Sequence, residues 1–187
     1  MLQGFDYYAA QNKWEHARQM YVFAQEILEQ YPNQFHEESS RWHIGLAQVE
    51  LRNDNTAAAK TALFAAENLL EESNLIWWQP VVQYYLGELY LQEQDVVQAK
   101  IRFRNVLTLV KNGAMPDYQA LSLLALATLE LDEVARLHLL EQCVATVEER
   151  ARAVVYTHCM REAGLLLAAS DSEYHKDLGN RCLQKVG

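Results

Sequence analysis

Cys143, Cys159 and Cys182, together with six histidines, are the residues of this chain that could supply a nucleophile, a base or a soft metal ligand. Such chemistry depends on spacing. A zinc or di-iron centre needs Cys-x-x-Cys, His-Glu-x-x-His or, in a helical bundle, Glu-x-x-His. The first two patterns do not occur, and none of the six histidines has a glutamate three residues before it. There is also no Gly-x-x-x-x-Gly-Lys phosphate loop and no Gly-x-Ser-x-Gly elbow. His158 and Cys159 are adjacent. On a helix, neighbours point about 100° apart, so a thiolate–imidazole pair is not expected there and Cys159 reads as a small buried apolar residue. No enzymatic activity, cofactor or metal is expected. A helical enzyme with catalytic groups scattered along the chain is the alternative left in that class.

Composition narrows the partners. The net charge of −9 opposes the attraction that phosphate backbones exert, so direct nucleic-acid binding is not expected. Lys100, Arg102 and Arg104 form a local basic group, but at helical spacing they fan around a solvated face. Three cysteines in a chain of 187 residues point away from a disulfide framework and towards a reducing, cytoplasmic setting. Residues Met1 to Asp6 carry neither a basic region nor an apolar run, so no signal peptide is expected. The most apolar stretch, Ala120 to Leu131, is too short to span a bilayer and is interrupted by Ser122, Thr128 and Glu130.

Only 7 Gly and 3 Pro interrupt the chain, and no alternating strand pattern appears, so the class is all-α. Helices are expected over Leu2–Ala10 and Trp14–Gln30, with a turn at Gln11-Asn12-Lys13 and a stop at Tyr31-Pro32-Asn33. Further helices are expected over Glu37–Leu51, Thr56–Glu72, Pro80–Gln92 and Val96–Lys111. Asp95 is the N-cap of the last, and Asn112-Gly113 is its stop. Tyr118–Glu130 and Glu133–Ala145 follow, with almost no turn residues between them. Thr146 with Glu149, and Ser170 with Glu173, fit the capping box and predict helices over Val147–Ala168 and Tyr174–Gln184.

Ala17, Ala58 and Ala99 are evenly spaced, and the same step links Tyr8 to Val49 to Tyr90, Tyr21 to Ala62 to Phe103, and Ala24 to Ala65 to Val106. Small and large apolar residues at fixed offsets are what stacked helical hairpins require. Leu86-Gly87-Glu88-Leu89-Tyr90, followed by Ala99, Phe103 and Val106-Leu107, resembles a tetratricopeptide repeat. The step, about 41 residues against about 34 residues in the standard repeat, is that of the longer tetratricopeptide-like arrays of bacterial signal-transduction regulators. In the fourth unit only Ala135 and Leu139 fit, and the fifth keeps little beyond Gly164 and Leu167. The resemblance implies one α-solenoid domain over 1–187: a right-handed superhelix of about five antiparallel hairpins, at approximately 1–33, 34–74, 75–115, 116–146 and 147–187. In this register Met1 falls inside the first helix of its hairpin. That is expected of a segment of a larger protein, such as an ATPase or transcription regulator, or of a homodimer closed through the incomplete N-terminal hairpin.

The resemblance further implies a concave groove, lined by the first helix of each hairpin, that binds a peptide or a partner protein. Carried over by register, its residues are Val81, Tyr84, Glu88 and Leu91 in the third unit and Ser40, His43, Ala47 and Glu50 in the second, with Tyr118 and Leu121 in the fourth. They do not form the lysine-and-asparagine clamp that some relatives use for a terminal carboxylate. Tyr84 and His43 either anchor a ligand or pack between repeats. Trp77 and Trp78 either form a contact patch or fold back over the preceding hairpin. The expected function is a protein–protein interaction module; the alternative is a regulatory domain of a bacterial transcriptional or signalling protein that senses a ligand or peptide.

Overall fold

The computed structural model describes residues 14–30, 35–110 and 114–187, and these are helical with no strand among them. The helices are α1 Trp14–Gln30, α2 His36–Arg52, α3 Thr56–Glu72, α4 Gln79–Gln92, α5 Val96–Leu109, α6 Pro116–Leu129, α7 Glu133–Arg150, α8 Ala153–Ala168 and α9 Glu173–Val186. A single 3-10 turn, Ile76–Trp78, leads into α4. The expected helix Leu2–Ala10, the turns at 11–13 and 31–33, the stop at 112–113, Tyr8, and the side chains of Ala17 and Tyr21 lie outside the described residues. No helix among the described residues is long and apolar enough to cross a membrane.

The chain divides into two compact units, Met1–Ala99 and Lys100–Gly187, with the division falling within α5. In the first unit α2 packs on α1, α3 and α4, and α3 packs on α4. Local chemistry fixes these helices. Asn55 caps α3 by accepting the Ala58 N–H (3.4 Å), and Asp95 caps α5 by accepting the Gln98 N–H (3.0 Å). α2, α3 and α4 all end alike. Asp54, Asn74 and Gln94 take left-handed backbone angles (φ 57°, 54° and 60°), and the next residue's N–H returns to the carbonyl of Glu50, Leu70 or Tyr90. Pro80 sits in the first turn of α4, where its missing N–H costs nothing.

These caps correct the repeat register. The offset from Asn55 to Asp95 equals that from Asp54 to Gln94, and it is one position shorter than the expected step. The buried stripes agree: Ala59, Leu63, Ala66 and Leu70 of α3 match Ala99, Phe103, Val106 and Val110 at this shorter offset. The end of α2 and the start of α3 therefore map onto the end of α4 and the start of α5 at one position fewer than the expected step. Ala57-Ala58-Ala59 offers a small residue at three successive positions, so side-chain size alone cannot choose among steps differing by one.

α2 and α4 run side by side and parallel. Near their N-termini, Trp78 Nε1–H donates to the Glu37 carboxylate (3.2 Å), and the Arg41 guanidinium lies 5.3 Å from the Trp78 ring centroid. At their C-terminal ends the Gln92 amide donates to the Leu51 carbonyl (3.1 Å). Trp78 thus folds back on the preceding hairpin, whereas Trp77 is 51% exposed.

In the second unit α7 packs between α6 and α8, α8 packs on α9, and α6 reaches α8. Its core gathers Leu123, Leu140, Met160 and Leu167 around all three cysteines. α6 and α7 are separated without Gly or Pro because the Glu130 carboxylate accepts the N–H groups of Leu131 (3.0 Å) and Asp132 (3.4 Å), which lowers its pKa. Asp132 then caps α7 at the Ala135 N–H (2.8 Å).

Three expectations are corrected here. α5 ends at Leu109, short of Lys111. α7 continues through Ala145 to Arg150, and Thr146 is not a cap, since its hydroxyl donates to the Gln142 carbonyl (2.8 Å) within that helix. The break falls at Ala151-Arg152, where the backbone is extended and Arg152 is tied to Asp117 of α6. The cap position of α9 is Ser172, not Ser170; Ser170 Oγ instead accepts the Ser172 N–H (3.1 Å).

Candidate functional site

The first unit holds two arrangements of chemical interest, and α2 and its neighbours build both. The first is a cavity of about 620 Å³ whose lining includes Leu28 of α1, Trp42, His43 and Leu46 of α2, and Ala62 and Leu69 of α3. His43 stands edge-on to Trp42, with ring centroids 4.7 Å apart. Its Nδ1 is buried and has no hydrogen-bond partner. Burial lowers the pKa of the imidazole, so the ring is neutral at neutral pH.

The second arrangement lies on α4. Tyr84 and Glu88 are one turn apart, so the phenol can donate to the carboxylate. Burial raises the Glu88 pKa; the nearby Arg52 charge and the Tyr84 hydrogen bond oppose that rise without cancelling it. Tyr85 meets Tyr84 in a T-shaped contact at 5.2 Å.

The residues expected to form one groove are distributed more widely. In the corrected register His43 is the counterpart of Gln83 rather than Tyr84, and Glu50 is the counterpart of Tyr90 rather than Leu91. His43 accordingly lines the cavity. Glu50 is buried and accepts the Asn55 side-chain amide (2.8 Å), joining the end of α2 to the cap of α3. Tyr84, Glu88 and Leu91 are half-buried on α4. Tyr118 and Leu121 are half-buried on α6 in the second unit, and Leu121 packs against that unit's core. The sequence reading did not find Trp42 or Arg52. Arg52 is the last residue of α2, next to an ordinary polar turn, and only the docking of α2 beside α4 brings its charge to Glu88.

The cysteines also come together, although they are far apart along the chain. Cys143 Sγ–H donates to the Ala120 carbonyl (3.4 Å), and its hydrogen bond with Cys159 together with burial pushes its pKa up. Burial raises Cys182 as well. All three are free thiols in the core, and protonation leaves Cys143 and Cys182 poor nucleophiles. Among the described residues, no three His, Cys, Asp or Glu side chains are grouped to hold a metal ion.

A stability test follows from Glu88. A carboxyl whose folded pKa is raised contributes stability below its ordinary value near 4.5 and loses it as pH rises through the folded value. Glu88→Gln, which keeps an acceptor for Tyr84, should therefore melt above the wild type at neutral pH. Thermal unfolding across the acid range should show that advantage shrinking towards pH 4.5.

In comparisons with known proteins, no family model, no curated protein and no solved structure matches this chain.

Proposed function

We propose that the chain is a tetratricopeptide-like α-solenoid that docks a peptide or a segment of a partner protein on the face built by its first helices. The observation carrying this reading is the pairing of α2 with α4. They lie parallel, are joined by hydrogen bonds at both ends, and share one constant offset between their closing residues and between the caps that follow. In a stacked array, equivalent helices of successive hairpins are neighbours in this way. The face then presents Tyr84, with its hydroxyl committed to Glu88, and, two turns on, Leu91: an aromatic residue of the kind that anchors interaction hot spots, with a polar edge, on the same helix face as an aliphatic one. A reducing, cytoplasmic location suits the three free thiols.

A displayed random-peptide library panned on the full chain tests the reading. Selected peptides should lose at least about tenfold in affinity for a Tyr84→Ala, Leu91→Ala double variant whose helical circular dichroism is unchanged. Equal binding to both proteins would remove the first-helix face as the docking surface.

A second reading, a regulatory segment that senses a ligand, is favoured by the cavity among α1, α2 and α3. Ligand-dependent protease protection across several hairpins is its signature.

A further inference from the structure

The α1–α3 cavity has a chemical character that selects its occupant. Its volume of about 620 Å³ is that of a site for a drug-sized molecule, in the usual range of about 300–1,000 Å³. No Asp, Glu, Lys or Arg stands in its described lining. The described lining therefore offers a charged ligand no counter-charge in return for the water it would lose. The room itself comes from α3, which faces the space with Ala58, Ala62 and Ala65.

The polar groups on the lining narrow the choice further. Gln25 and Ser39 add an amide and a hydroxyl to the lining, and Thr61 Oγ1–H is committed to the Ala57 carbonyl (3.0 Å), whereas neither ring nitrogen of His43 has a hydrogen-bond partner among the described residues. A bare, buried acceptor nitrogen is less costly than a buried N–H without an acceptor, so the sealed Nδ1 is the unprotonated one. The proton of the neutral ring then sits on Nε2, and the imidazole offers a ligand one donor. Trp42, held edge-on by the same ring, supplies a flat apolar wall.

We propose that this cavity binds an uncharged, mainly apolar small molecule carrying a hydrogen-bond acceptor such as a carbonyl, which the His43 Nε2–H holds. The proposal gives the ligand-sensing reading its ligand class and rests on that reading only for its biological meaning. The site itself is tested separately.

The probe is prodan, a neutral naphthalene ketone, titrated into the full chain and followed by its emission. Saturable binding at one site per chain, with a blue shift, is expected. His43→Phe, which keeps a flat ring and removes the donor, should weaken binding by about 3- to 10-fold. Ala65→Trp should abolish binding by filling the space. If that variant does not fold, Ala58→Leu at the same wall should reduce binding instead. The anionic naphthalene sulfonate ANS should bind at least about tenfold more weakly than prodan.

No saturable prodan binding, prodan binding indifferent to the filled cavity, or ANS binding as tight as prodan's would each overturn the proposal. Displacement of prodan by a library-selected peptide would also overturn it, making the cavity a side-chain pocket of a peptide site. Prodan binding without any change in protease protection would leave the site in place and defeat the sensing reading.

Discussion

Gly179→Ala is expected to lower the melting temperature by about 4–8 °C, and Gly164→Ala by a few degrees at most. Both glycines are buried where α8 meets α9, and both are helical, so alanine should gain about 1 kcal/mol in helix propensity at either position. What the new methyl group meets separates them. At Gly179 it would lie 2.4 Å from the Ala168 amide nitrogen and 2.7 Å from the Gly164 carbonyl oxygen. These are backbone atoms and cannot turn aside, so α9 would have to lift from α8. That would loosen the core around Cys159, Met160, Leu167 and Cys182. Overpacking of this kind costs about 3 kcal/mol, leaving a net loss of about 2 kcal/mol. At Gly164 the nearest atoms are side-chain carbons of Cys182 and Leu183 at 3.1 Å, and Leu183 is only half-buried. Leu183 can rotate aside, and the Cys182 Cβ, fixed to its backbone, needs the helices to part by only a few tenths of an ångström, a strain that the gain in helix propensity largely offsets. Thermal unfolding followed by circular dichroism measures both. Equal losses would show that the α8–α9 contact is softer than the backbone geometry requires.

That pair of glycines also marks how far the sequence could be read. Gly164 was visible because it fell near a repeat position. Gly179 was not, since a close approach between two helices is a property of their packing, and His175 to Cys182 reads locally as an ordinary polar helix. Where termination is local, the reading succeeded. α1 and α3 have the expected bounds, Trp14–Gln30 and Thr56–Glu72, and the expected cap at Asp95 uses a side chain three residues from its target. Where termination is tertiary, it failed: nothing near Ala151 breaks a helix, so the chain from Val147 to Ala168 looked continuous. The candidate site shows the same limit in another form. Ala58, Ala62 and Ala65 have the spacing of notches for a neighbouring helix; Ala62 is buried in the core, and all three also stand on the cavity wall. The buried stripe of α3 runs through Ala59, Leu63, Ala66 and Leu70. A one-residue difference in register is about 100° on a helix, enough to move His43 and Glu50 off the face that Tyr84 and Leu91 share.

The break at Ala151-Arg152 supplies the other large effect: Asp117→Ala should cost about 2 kcal/mol, and Arg152→Ala no more than about 1 kcal/mol. Asp117 lies in the first turn of α6 and is 8% exposed. Its carboxylate accepts the Arg152 backbone N–H (2.9 Å) and also pairs with the Arg152 guanidinium. Arg152 is the N-cap residue of α8 but makes no capping hydrogen bond with its own side chain, so Asp117 anchors this helix start from 35 residues away. Alanine at 117 removes both bonds and leaves the amide at 152 without its acceptor. Alanine at 152 keeps the backbone bond and loses only an ion pair whose cationic side chain is largely solvent-exposed. Amide hydrogen exchange distinguishes the two contributions. Protection at position 152 should be lost in Asp117→Ala and retained in Arg152→Ala. Equal destabilisation with protection retained in both would assign the anchor to the ion pair. Because residues 146–156 contain no Gly or Pro, the segment freed in Asp117→Ala should tend to join α7 and α8 into one helix. The variant would then move towards the continuous helix that local sequence favours, and the α6–α8 packing around Met160 would bear the cost.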